Sequence, residues 1–128
     1  MMPPDVHVLL VEDDEDSREV MQAMLEVSGI RVTAVSRAEQ ALARLAGEPF
    51  DAVVTDLAMP SQSGFWLVGK IRDRFPLLPV LAVTGHPFPR AGVLRAGFDE
   101  HLQKPVDREA LCAALEPLVV RTRAARQG

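Results

Sequence analysis

A chain of 128 residues is one domain, long enough to bury about two-thirds of its unfolded surface. Its single cysteine, Cys112, rules out an internal disulfide, and a net charge of −4 argues against direct nucleic-acid binding, which demands a basic face. No apolar run approaches the ~20 residues that span a bilayer and no charged-then-apolar leader opens the chain, so a cytoplasmic protein without membrane contact is expected.

Met1 to Asp5 reads as a flexible leader ahead of a domain spanning residues 6–118. His7 to Val11 is a continuous apolar strand, too short for a helix and rich in valine and leucine. Asp16 or Ser17 caps a helix with apolar positions Val20, Met24, Leu25 and Val27, ending near Gly29. Ile30 to Val35 is a second strand, and Ser36 caps a helix through Ala38, Ala41, Leu42 and Leu45 that Gly47 closes. Ala52 to Thr55 is the third strand, Met59 to Ser63 a loop, and Phe65 to Phe75 a helix stopped by Pro76.

Val80 to Val83 is the fourth strand. Pro87 and Pro89 then forbid a helix before Arg90, leaving a short one over Arg90 to Ala96 closed by Gly97. His101 to Gln103 is the fifth strand, and Asp107 caps a last helix that Pro117 bends or ends. Cys112 is expected there as a small buried residue. Residues 119–128 read as a flexible end, and its Arg121, Arg123 and Arg126 as a solvated helix end or linker stub rather than a binding arm. Strands alternating with helices make five βα units, hence an α/β fold with a parallel sheet covered on both faces.

The chemistry gathers where strands end. The first runs into Glu12-Asp13-Asp14 and the third into Asp56, followed by Met59-Pro60 and Gly64. In an open α/β sheet, ligands bind outside the carboxyl ends of the strands. Carboxylates crowded there repel one another unless a cation neutralises them, and a small oxygen-only site favours magnesium. A carboxylate beside magnesium is a competent nucleophile towards phosphorus, which gives Asp56 the chemistry of an aspartyl phosphate. The fourth strand delivers Thr84 and Gly85, and the fifth delivers Lys104 and Pro105. One hydroxyl and one ammonium suit the remaining phosphoryl oxygens, and Gly85 leaves room for the group to approach.

These segments in order, Val-Glu12-Asp13-Asp, Asp56-Leu-Ala-Met-Pro, Val-Thr84-Gly and Leu-Gln-Lys104-Pro, resemble the receiver domains of response regulators, the CheY-like family, over Val6 to Leu118. The resemblance implies a doubly wound, flavodoxin-like five-stranded parallel sheet of order 2-1-3-4-5, with helix four short or irregular. It implies Asp56 as phosphoacceptor, Asp13 and Asp56 as direct magnesium ligands and Glu12 as a ligand through water. The backbone carbonyl of Ala58 completes the metal's protein ligands, and Thr84 and Lys104 hold the phosphoryl group. The implied partners are a histidine kinase or a histidine phosphotransfer protein, with a fused or separate output domain.

Three positions depart from the pattern. His101 stands where the family's switch aromatic, usually Tyr or Phe, is found. The Thr84 to Lys104 stretch is about two residues short, and Ser63 precedes Gly64 where Asp is common. Trp66, just past Gly64, is placed sideways or outward, with packing or a partner contact as its two roles. A phosphohydrolase with an aspartate nucleophile needs a general acid two residues further on, where this chain has Ala58. A flavin carrier is disfavoured because Glu12-Asp13-Asp14 would repel the flavin phosphate. A receiver acting as a phosphorylation-independent docking module is the alternative the residues leave open.

Overall fold

Strand β1 (His7–Val11) is buried along all five residues because it lies inside the sheet and is covered on both faces. So are β3 (Ala52–Thr55) and β4 (Val80–Thr84), whereas the edge strands β2 (Arg31–Val35) and β5 (Glu100–Gln103) are partly exposed. The computed structural model describes residues 2–60 and 62–127. Met1, Ser61 and Gly128, which fall in the predicted leader, loop and tail, lie outside the described residues. The strands form one all-parallel sheet in the order β2-β1-β3-β4-β5, as the resemblance implied.

Alternate side chains sort onto the two faces. Leu9, Val11, Val53, Val80 and Ala82 meet α2 (Ala38–Gly47), α3 (Gly64–Arg74) and α4 (Arg90–Arg95). Val8, Leu10, Ala52, Val54, Leu81 and Val83 meet α1 (Glu15–Val27) and α5 (Arg108–Gln127). Each fully buried Val, Leu or Ile contributes about 1.5–3 kcal/mol, so these two layers supply most of the drive to fold.

The helix boundaries differ from the sequence reading in instructive ways. Asp14, not Asp16 or Ser17, caps α1: its carboxylate accepts the Ser17 N–H at 2.8 Å. The buried stripe of α1 is Met21 and Leu25, while Val20 and Val27 are 58% and 74% exposed. At α2 the cap position is Arg37, and Gln40 Oε1 accepts the N–H groups of Ser36 and Arg37 at 3.0 and 3.1 Å. Helix α4 is six residues long, as the prolines required, and Gly97 closes it with φ +119°. Asp107 caps α5 by accepting the Ala110 N–H at 2.7 Å, as expected.

The predicted flexible ends are corrected most. Helix α5 runs through Pro117 to Gln127. The proline removes one backbone donor, but Leu118, Val119 and Thr122 remain buried and hold the helix against the sheet. Arg123 and Arg126 both pair with Asp51, and Arg121 pairs with Asp99, so the basic residues stand on a helix end tied back to the domain rather than on a linker stub. At the other terminus Met2 packs against the α1/α5 layer, and the Asp5 carbonyl accepts from Arg123.

Candidate functional site

Strand order reverses at β1: the chain leaves it towards β2 and returns on its other side to β3. The register pairs Val11 with Thr55 across β1 and β3. The next residue on each strand is therefore Glu12 and Asp56, carried to the same level at the carboxyl edge. Two apolar strands in register are what place two carboxylates beside each other.

The acidic loop is held by its own bonds. The Glu12 N–H donates to Val35 O at 3.0 Å and the Asp14 N–H to Glu12 Oε2 at 3.2 Å. Arg18 Nη1 donates to the carbonyls of Glu12 at 3.0 Å and Asp13 at 3.5 Å. Capping α1 turns the Asp14 carboxylate away and holds it below the ordinary carboxylate value through the Ser17 N–H. Asp14 is thus a helix cap, while Asp13 is exposed towards the site.

Asp56 follows β3, its N–H donating to Val11 O at 3.1 Å and its Oδ1 accepting the Ala58 N–H at 3.3 Å. Gly64 packs directly beneath: a Cβ there would lie 2.3 Å from Asp56 O and 3.0 Å from Leu57 Cα. Only glycine fits this approach. Ser63, the predicted departure, caps α3 by accepting the Trp66 N–H at 3.1 Å.

Lys104 reaches across from the end of β5. Its ammonium donates to Glu12 Oε1 and lies 3.4 Å from Asp56 Oδ2. Burial alone would lower the Lys104 pKa, but the hydrogen bond and charge of Glu12, with the charge of Asp56, hold it above 10.5. Burial pushes the Glu12 carboxyl up, against the pull of Lys104 and the Asp14 N–H. The Glu12 side chain is 2% exposed, so Lys104 is the cation that makes its burial tolerable.

Glu12, Asp13 and Asp56 each offer one oxygen, and the three lie within 4.8 Å of one another. An all-oxygen set at the rim of a sheet fits a magnesium ion that keeps several waters. The predicted ligands and Lys104 therefore converge. Thr84 is fully buried at the end of β4, its carbonyl accepting the Lys104 N–H at 2.8 Å and its hydroxyl accepting the His86 N–H at 3.2 Å. Ala58 is exposed at the rim.

His101, on β5, pairs with Ala82 of β4; it is half-buried, with Nε2 buried and, among the described residues, without a hydrogen-bond partner. Burial, reinforced by the Arg90 charge, holds its pKa below 6.5. Trp66 packs partly against the α2/α3/α4 layer, with Lys70 Nζ 5.8 Å from its ring centroid. Cys112 is half-buried rather than buried, and its thiol donates to Ser28 Oγ at 3.1 Å.

Sequence reasoning missed Arg18, Asp14 as the cap, and a groove of about 500 Å³ between α1 and the β5–α5 loop. Asp16, Ser17, Val20, Met24, Lys104 and Val106 contribute to its lining. The Asp14-x-x-Ser17 spacing was the available signal for the cap; the groove left none, since α1 and β5 are remote in sequence.

Residues 8–116 match the profile of the response regulator receiver domain. The chain is 42% identical over 106 residues to response regulator protein FleR of Pseudomonas aeruginosa, covering 81% of this chain and 22% of FleR. It is 39% identical over 104 residues to an uncharacterized 14.6 kDa protein of Leptolyngbya boryana, covering 78% and 79% of the two chains. The crystal structure of a sensor protein from Polaromonas sp. JS666 superposes with a TM-score of 0.84 at 29% identity, over 93% of this chain and 99% of that one. Among the described residues no helix is long and apolar enough to cross a membrane.

Proposed function

The chain belongs to the response regulator receiver domain family, and on that premise we propose that it takes a phosphoryl group on Asp56 and passes the change to a partner by altering its surface. The observation that carries this reading is the convergence of Glu12, Asp13 and Asp56 around one small volume with Lys104 at its edge.

A carboxylate oxygen of Asp56 attacks phosphorus. The new O–P bond forms as the bond to the donor breaks, and the donor leaves with the electron pair. Glu12, Asp13 and Asp56, with the Ala58 carbonyl, would hold a magnesium ion. That ion, when bound, supplies charge neutralisation at the phosphoryl oxygens. Lys104 and the Thr84 hydroxyl are the donors suited to the same oxygens. The Thr84 hydroxyl accepts the His86 N–H, which leaves its own proton free to donate to a phosphoryl oxygen. His101, half-buried on the adjacent strand, is the side chain we assign to respond. Ala58 supplies no general acid, in keeping with a signalling domain rather than a turnover phosphatase.

A histidine kinase or histidine phosphotransfer protein is the phosphodonor we assign. The groove beside Lys104, with Val20 58% exposed on α1, offers it an apolar seat next to the acceptor. FleR extends well beyond the matched region, and an output domain, fused or separate, is proposed here on that analogy. We assign the site to the cytoplasm, where such donors are made.

Treatment with acetyl phosphate and magnesium, followed by intact-mass measurement, tests the reading. One phosphoryl adduct is expected on the wild type and none on Asp56→Ala. Equal labelling of both, or none on the wild type, overturns it; the second result leaves the phosphorylation-independent docking module standing.

A further inference from the structure

Arg18 lies in the first turns of α1, its own N–H bonded to Asp14 O at 2.9 Å, so its root moves with the helix. The side chain turns back, and one nitrogen, Nη1, bridges the carbonyls of Glu12 at 3.0 Å and Asp13 at 3.5 Å. Those two carbonyls flank the peptide that carries Asp13.

We propose that Arg18 is a positioning residue for the divalent cation. It touches neither ion nor phosphoryl group, and it fixes the backbone that aims Asp13 at Asp56. The proposal rests on the reading of Glu12, Asp13 and Asp56 as the magnesium site.

Each neighbour of Asp13 is already committed. Glu12 is tied to Val35 through its N–H and to Lys104 through its carboxylate. Asp14 is tied to Glu12 through its N–H and to Ser17 through its carboxylate. Asp13 is exposed, so its direction depends on the backbone on either side, and Arg18 holds both adjoining carbonyls. A charged donor to a carbonyl is stronger than a neutral one, and Arg18 is half-buried, where solvent competes less. Residues that orient metal ligands without touching the metal alter affinity by about ten- to a hundredfold.

Geometry and charge predict opposite signs. As a nearby positive charge Arg18 repels a cation, and its loss would tighten binding. As a backbone clamp it preorganises the ligands, and its loss would weaken binding.

Calorimetric titration of the full chain with magnesium chloride separates them, using Arg18→Ala, Arg18→Met, Arg18→Lys and, as a control, Arg44→Ala across the groove beside β2. A clamp requires at least about tenfold weaker binding in the alanine and methionine variants. Arg18→Lys should recover most of the loss, because one nitrogen makes both bonds, and Arg44→Ala should match the wild type. Tighter binding in Arg18→Ala, or wild-type affinity in Arg18→Met, overturns the proposal.

Hydrogen exchange in the metal-free proteins gives an independent reading. The Asp13 and Asp14 amides should exchange faster in Arg18→Met while those of Leu9 and Leu10 in β1 do not; unchanged loop amides overturn the clamp. A wild type that binds no magnesium sinks the site reading instead, and the exchange result still decides whether Arg18 clamps the loop.

Discussion

The Arg123 guanidinium grips the Asp51 carboxylate at two points, Nε on Oδ1 at 2.7 Å and Nη2 on Oδ2 at 3.1 Å. Arg126 adds a third contact at 2.8 Å, and Asp51 also accepts the His7 N–H at 2.8 Å. The far end of α5 is thereby pinned to the start of β3, at the sheet edge opposite the acidic cluster.

Asp51→Asn should destabilise the fold by about 1–3 kcal/mol in urea unfolding, because a nearly buried charge network loses its anion. Burial alone would raise the Asp51 carboxyl, but Arg123, the His7 N–H and Arg126 hold it below 3.8. Its contribution is therefore complete above 3.8 and disappears as pH falls from there through the depressed folded value. Wild type should lose more stability than Asp51→Asn over that acid range. Parallel acid limbs for the two proteins would count against the network.

Gly64→Ala should cost about 1–3 kcal/mol, since the added methyl overlaps Asp56 O and the backbone must move. The shift falls on Asp56 itself, so labelling by acetyl phosphate should slow as the melting temperature falls. A variant as stable and as readily labelled as the wild type would show that the site tolerates the displacement.

Lys104→Ala leaves Glu12 buried without its cation and removes a donor aimed at the phosphoryl oxygens. Labelling should fall by about a hundredfold or more. Stability at neutral pH should drop by about 1–3 kcal/mol. Because the Lys104 pKa is raised, its contribution is whole below 10.5 and is lost as pH climbs through the folded value. Labelling rates and urea unfolding of the variant at two pH values check both statements.

His101 should make the fold acid-sensitive. Its folded pKa lies below 6.5, so as pH drops under 6.5 the unfolded chain binds a proton that the folded chain does not, and stability falls. Melting temperatures at about pH 7.5 and about pH 5.5 should differ less in His101→Phe than in wild type. Residual sensitivity belongs to His7, whose pKa burial and Arg31 also depress. If the switch runs through position 101, backbone amide shifts on beryllofluoride addition, followed from Gly97 to Lys104, should differ between wild type and His101→Ala. Identical shift patterns would remove His101 from the switch.

Much of the site was legible because its residues punctuate regular elements. Short apolar runs ending in Glu12, Asp56, Thr84 and Lys104 indicate parallel strands, and parallel strands deliver their carboxyl ends to one edge. Pro87 and Pro89 likewise announced a short α4, because proline restricts the residue before it as well as itself. The capping error at α1 arose because Asp14, Asp16 and Ser17 are all competent caps, and only the turn geometry selects among them.

By itself, then, the sequence determined the alternation of strands and helices, the sheet's parallel character and which side chains stand at its functional edge, since these follow from local periodicity and from where apolar runs stop. Tertiary structure decided what depends on partners remote in the chain. Asp51 recruits Arg123 and Arg126 from 72 and 75 residues away and turns an apparent basic tail into the end of α5. Glu12 is buried because Lys104, 92 residues on, neutralises it. A charged side chain's burial is set by the partner that compensates its lost hydration, and that partner exists only once the chain has folded.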